Sequence, residues 1–356
     1  MTFTLADVAR MRLISQGLVE PLPTPVDAVR HLTCTQGQDL PGSTRSLALR
    51  TAGRSLSEVQ AAYDTGEIVR SWPMRGTLFV VAAEDLAWIR DLTAAKMLDA
   101  TTRRRDQLGL SPGILDRARN LATDALAGDG LSRADLLARW TDAGLDVEGG
   151  RGYHLLFHLA LSGVLCLGPF TGTDQRFVLA DTWIERPRAL DRDEAVRELL
   201  RRYVLARGPV PLDDFCWWSK LGKREARAAL AEVGSTLRSA HVDGMAGVEF
   251  WMAPDLPDRD ATLRRQAEKP LLLPGFDEIV LGYGDRRAVL TREEEVLVVP
   301  GRNGIFKPTV IDRGRAVGTW SRPTRTNAPA AVSPFTTLRA PVARAIPRLT
   351  ASLPTP

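Results

Sequence analysis

The chain has 356 residues, 44% of them hydrophobic and 25% charged, with a formal net charge of +4. That length exceeds what one hydrophobic core fills, so two to four domains are expected, and the balance suits a water-soluble globular protein. No apolar run reaches the roughly 18 residues of a membrane span, Met1–Asp7 lacks the basic head of a signal peptide, and Cys34, Cys166 and Cys216 are too few and too scattered for a disulfide framework or a zinc site, so a cytoplasmic monomer is expected.

Residues 4–16 and 25–34 read as helices, the second opened by Pro25 at the first helical position. Gln36-Gly37-Gln38 follows, where the helical pattern gives way to a loop. Ser57, with Gln60 three residues on, starts a third helix that Gly66 can end. Two β-prone runs, 68–72 and 77–81, are joined by a turn containing Pro73 and Gly76. Three helices and a hairpin make a winged helix, assigned to residues 1–108. In residues 109–190 the order is helix from Ser132, helix 153–163, then strands 164–167 and 176–179. Residues 191–265 repeat it with helices from Asp193, 211–221 and 223–233, then β-prone runs 235–242 and 248–252.

The last quarter, residues 266–356, changes character. Short apolar runs at 279–281, 296–299, 305–311 and 316–320 are bounded by turn residues, and Asp312-Arg313-Gly314 suits a hairpin tip, so a β-rich domain is expected, with a short helix at 342–349. The fold class is therefore α+β, with tandem winged helices and a β-rich C-terminal region. Residues 301–356 hold nine basic residues and one acid, against 38 and 42 in residues 1–300. A localised positive surface suits a polyanion, because neutralising phosphates releases condensed counterions; a basic tail without a partner has the same composition.

Few constellations carry chemistry. A glutamine amide both accepts and donates, so two of them can hold a water by different edges, although Gln36 and Gln38 one residue apart also suit a solvated loop. His154 and His158 have metal-ligand spacing but no third ligand, and a packed helix explains them. Trp217-Trp218 can stack on bases or be buried, and Arg103-Arg104-Arg105 reads as a hydrated helix face. No acidic metal cluster or phosphate loop is evident, so neither metal nor cofactor is expected.

Several segments, in order, carry a resemblance. They are Arg12-Leu13-Ile14-Ser15-Gln16-Gly17-Leu18, Gln36-Gly37-Gln38-Asp39, Leu47-Ala48-Leu49-Arg50, Met74-Arg75-Gly76-Thr77-Leu78, Leu272-Leu273-Pro274-Gly275-Phe276-Asp277, Phe306-Lys307-Pro308-Thr309-Val310 and Gly318-Thr319-Trp320. The chain resembles the winged-helix, AlkZ-like DNA glycosylases, the family of azinomycin-resistance enzymes and bacterial relatives acting on interstrand crosslinks. The resemblance implies a C-shaped array of winged helices around double-stranded DNA. It places the family's catalytic Gln-x-Gln or Gln-x-acid motif on Gln36 and Gln38. Gly37 departs from the usual apolar middle residue, and Phe79 stands where many relatives carry a histidine.

The implied reaction is monofunctional hydrolysis of the N-glycosidic bond of bulky N7-alkylpurine adducts, including crosslinks, in repair or antibiotic self-resistance. An N7-alkylated guanine is already cationic, so its departure needs little acid; what remains is to stabilise the sugar cation and deliver water, which suits amide carbonyls. Gln36 and Gln38 share that role, with Asp39 either an electrostatic helper or a helix-capping aspartate. Arg45, Arg50, Arg75, Arg313 and Arg315 are candidate DNA contacts, each with a solvated surface role as the alternative. The competing function is a non-catalytic winged-helix regulator, since a fold by itself implies no reaction.

Overall fold

The computed structural model describes residues 1–302, 304–322 and 328–354. The fold is mixed α+β and forms two compact units, residues 60–195 and residues 1–59 with 196–356.

In the unit of residues 60–195, Ile68–Met74 and Thr77–Ala82 form one antiparallel hairpin, and Leu165–Thr171 and Asp174–Leu179 form another. The two join where Arg70 lies opposite Leu167. Each hairpin shifts register beside a proline, between Ser71 and Met74 and between Leu167 and Phe170. Pro73 and Pro169 lack the N–H that the ladder needs, so the strand bulges there. Arg75 and Gly76 both take positive φ, 60° and 70°, the pairing that a two-residue turn matched to strand twist requires.

Helices Arg133–Asp142 and Arg151–Leu161 supply Leu136, Trp140, Leu155 and Leu159 to a core shared with Trp72, Leu165 and Phe177. Ser132 caps the first of them, accepting from the Asp135 N–H, as its sequence leads one to expect. Between the hairpins the chain also forms Leu86–Asp91, Ala94–Ala100, Thr102–Gln107 and Pro112–Ala125. The first three have seven residues or fewer, too short to display a helical period, and Thr102–Gln107 buries no residue. Arg103 and Arg104 lie exposed on it, a solvated face.

The other unit opens with helix Leu5–Ser15, started by a capping box between Thr4 and Asp7. Every residue from Val8 to Ser15 is buried, including two arginines. Arg10 donates to both carboxylate oxygens of Asp260 at 2.6 and 2.7 Å. Arg12 lies 3.7 Å over the Tyr283 ring and donates to the Pro209 carbonyl. Thr2–Phe3 pairs in parallel with Arg238–Val242, extending a sheet completed by Phe250–Met252 and Val210–Pro211. Helices Leu212–Ser219 and Lys223–Val233 precede its central hairpin.

The C-terminal sheet is antiparallel in chain order: Leu271–Leu273, Thr309–Asp312, Arg315–Ser321 and Ala331–Pro334. Helix Ala340–Ala351 covers it, placing Val342 and Ile346 with Leu272, Val310 and Trp320. Two runs expected to be β are helical. Residues 279–281 fall in the turn Glu278–Leu281, where Asp277 accepts from the Ile279 N–H. Residues 296–298 end helix Arg292–Val298, which a Thr291–Glu294 capping box and acidic residues 293–295 start. These caps and the favourable first-turn charge outweigh the β preference of a few valines. The hairpin tip at Arg313-Gly314 forms as expected, with Arg313 exposed and Gly314 buried. A Cβ on Gly314 would meet the Ala9 backbone at 2.6 Å, so that side of the tip packs on helix Leu5–Ser15.

Candidate active site

Helix Pro25–Leu32 ends at Thr33, whose φ of 66° and ψ of −59° belong to the strained form of the γ-turn. A β-branched residue pays steric energy there, and such strain persists only where surroundings enforce it. Strand Cys34–Gln36 follows at once. Gln36 is buried at 8% exposure, and its side-chain carbonyl accepts the backbone N–H of Gln38 at 2.6 Å, which fixes the amide's orientation. Gly37 is buried and Gln38 exposed. The motif thus holds one anchored amide and one at the surface.

Asp39 is at the N-cap of helix Leu40–Ala48 but makes no side-chain capping bond, contrary to the capping alternative. Its carboxylate folds back over the first turn instead, since a Cβ on Gly42 would stand 2.4 Å from Oδ2. The helix N-terminus favours a negative charge there.

Two buried ion pairs surround this segment. Arg207 is fully buried and donates to the carbonyls of Leu32 and Cys34 at 2.8 and 2.7 Å, on both sides of strained Thr33. Its second guanidinium nitrogen also donates to Glu278 Oε2 at 2.8 Å, while Glu278 Oε1 accepts the backbone N–H of Gln36 at 2.8 Å. Gly282 makes room for this arrangement: a Cβ would lie 2.7 Å from the Glu278 carbonyl oxygen and 3.2 Å from Arg207 Nε.

Beside it, Arg50 forms a two-pronged pair with Asp277, each contact 2.8 Å, and also donates to Gln16 and Ser46. Burial alone would raise the Asp277 carboxyl, but Arg50 and hydrogen bonds from the Ile279 N–H and the Ser46 hydroxyl outweigh it and hold the pKa below the usual carboxylate range. Arg50 has no exposed surface and no donor turned outward, so it is withdrawn from the candidate DNA contacts. Residue type and position had suggested a phosphate ligand; the partner 227 residues away made it a structural cation.

The other arginines differ in setting. Arg45 is half-buried in helix Leu40–Ala48, and burial, then the neighbouring Arg322, push its pKa down, with Asp39 opposing. Arg313 is exposed at the packed hairpin tip. Arg315 is engaged with Glu294 at 3.3 Å and with the Arg287 carbonyl. Arg75, in the unit of residues 60–195, sits half-buried in the hairpin turn. The structure therefore gathers Gln36, Gln38, Asp39 and Arg45 on one strand–helix segment, and Arg313 and Arg315 lie on another element of the same unit.

Other sequence features also resolve. Trp218 is fully buried beneath Arg207, 4.6 Å away, whereas Trp217 is half-buried and lines a pocket of about 610 Å³ with Asp213, Arg286 and Arg287. That pocket does not include the Gln36 segment. His154 and His158 lie on helix Arg151–Leu161, and among the described residues no group of three or more potential ligands is placed to hold a metal. No helix there is long and apolar enough to cross a membrane. Sequence reasoning missed both Arg207 and Glu278, the latter one residue past the family-like segment that ends at Asp277; nothing local to either marks their pairing.

A family model described as DNA glycosylase AlkZ-like matches residues 29–353. The chain is 27% identical over 315 residues to the interstrand DNA cross-link repair glycosylase of Streptomyces sahachiroi, a span of 84% of this chain and 82% of that protein. The solved structure of the Streptomyces sahachiroi DNA glycosylase AlkZ has the same fold, with a TM-score of 0.79 at 24% identity over 100% of this chain and 99% of that one. The chain belongs to the AlkZ-like DNA glycosylase family, hydrolases of N-glycosyl bonds in DNA.

Proposed function

We propose that the chain releases bulky N7-alkylated purines from duplex DNA, including those joined in interstrand crosslinks, and that Gln36 and Gln38 carry the step at the sugar. The observation that carries this reading is the anchored Gln36 amide. Its carbonyl is held by the Gln38 N–H, so a developing positive charge on the sugar meets an already oriented dipole and little reorganisation is needed. Gln38, exposed beside it, is the group that can follow water or the strand. Neutral amides suffice because an N7-alkylated base leaves as a neutral species from a cationic substrate. Asp39, lacking a capping bond, supplies negative potential nearby.

None of the chain's five lysines lies within residues 1–95, so nothing near the motif in sequence can form a Schiff base, and simple hydrolysis to an abasic site follows. Arg45 follows the motif on helix Leu40–Ala48, where burial and then the neighbouring Arg322 disfavour its charge, a cost that a bound phosphate would relieve. The helix–helix–hairpin units at 133–179 and 212–252 are read as winged helices that hold the duplex.

The test uses duplexes carrying one 7-methylguanine, one guanine crosslink or no lesion. Heat- or alkali-labile strands should form from the first two and not from the third. Binding to all three without any labile site would instead favour a non-catalytic DNA-binding role.

A further inference from the structure

We infer that Glu278 is a positioning residue for Gln36, acting with Arg207 as a clamp on the strand that carries it. This rests on the reading of Gln36 as catalytic. The geometry is specific. Glu278 uses one carboxylate oxygen for the Gln36 N–H and the other for Arg207, both at 2.8 Å. Arg207 uses its remaining reach for the carbonyls of Leu32 and Cys34. The five-residue span from Leu32 to Gln36 is therefore gripped at three backbone atoms, and Thr33 is kept in a conformation that it would leave if released.

Only a carboxylate offers acceptors in both directions. In Glu278→Gln a single oxygen must serve either Arg207 or the Gln36 N–H, and the amide NH2 then faces a donor. One link of the clamp opens while size and packing are kept. A small displacement of a reacting group is costly, so the strand's release should reach the chemistry even though Glu278 touches no substrate.

The experiment compares wild type, Glu278→Gln, Gln36→Ala and the double variant in single-turnover base release from a 7-methylguanine duplex, with duplex affinity and thermal unfolding measured on each. Glu278→Gln should lose roughly ten- to a hundredfold in rate with affinity changed by less than about twofold, and should cause no further loss in the Gln36→Ala background. An unchanged rate, or an equal fractional loss with and without Gln36, would overturn the clamp and leave Glu278 a general structural residue. Gln36→Ala without effect would instead overturn the reading of the motif, and the clamp with it. If Glu278→Gln proves unfolded, Arg207→Lys carries the same test, because it keeps the buried charge while its single ammonium lacks the planar fork that spans both carbonyls.

Discussion

Replacing Asp277 by alanine should be among the most damaging single changes in the unit of residues 1–59 and 196–356. Arg50 and Asp277 have side-chain exposures of 0% and 1%, and their two contacts are each 2.8 Å. Water therefore cannot replace the lost carboxylate, and stranding a buried cation costs about 3–5 kcal/mol. Loss of the bond that Asp277 accepts from Ile279 N–H adds ~1 kcal/mol, not strictly additively. Against a typical total of roughly 5–15 kcal/mol, this is a large share. Removing both charges, in Arg50→Met with Asp277→Ala, should cost clearly less, because no charge is stranded. Urea titration followed by tryptophan fluorescence and circular dichroism measures the difference, and coincidence of the two probes checks that one transition is being read. Asp277→Ala within about 1 kcal/mol of wild type, or a double variant as unstable as the sum of both singles, would refute the stranded-charge reasoning.

Trp140→Ala removes a fully buried ring from the core of residues 60–195 and should cost about 3–5 kcal/mol in the same titration. His31 is held below its ordinary value of 6.5 chiefly by burial, with Arg207 adding to the shift against the hydrogen bond to the Ser15 carbonyl. The unfolded chain therefore takes up the proton first, so the stability involved is full above pH 6.5 and lost as pH falls below it. Melting temperature should drop less between pH 7.5 and pH 5.5 in His31→Gln than in wild type, measured by thermal scans at about those pH values; an equal drop would count against this. Arg45→Ala should weaken binding to lesion-bearing and intact duplex alike and reduce the salt slope by about 1, read by titration across salt concentrations. Arg50→Lys should alter stability and leave that slope alone.

The hairpins of residues 68–82 and 165–179 were legible because alternation, turn glycines and helix caps all act locally. Helix Leu5–Ser15 was legible as a helix over residues 4–16, but its complete burial from Val8 onward was not, because its arginines are paired with partners distant in sequence. The short helices at 86–107 fall below the length at which a period is visible, and residues 279–281 and 296–298 were taken for strands because β-branched runs are more conspicuous than the caps before them. Within the site, Gln36-Gly37-Gln38 and Asp39 were visible by their resemblance to a motif. Arg207, Glu278 and Asp277 were not, because what gives them meaning is a partner 71 to 242 residues away, and one sequence holds no record of such pairings. The misreading of Arg50 has the same cause: a basic residue near a DNA-processing motif looks like a phosphate ligand until its acid is found.

The central claim is that the amides of Gln36 and Gln38 perform the step at the sugar. Single-turnover release of 7-methylguanine from a duplex by Gln36→Ala, Gln38→Ala and the pair tests it most directly, with unfolding and duplex affinity as controls. The account predicts folded, DNA-binding variants that lose on the order of a hundredfold or more in rate, the double no worse than a shared water would require. A double variant releasing the base at the wild-type rate would contradict it.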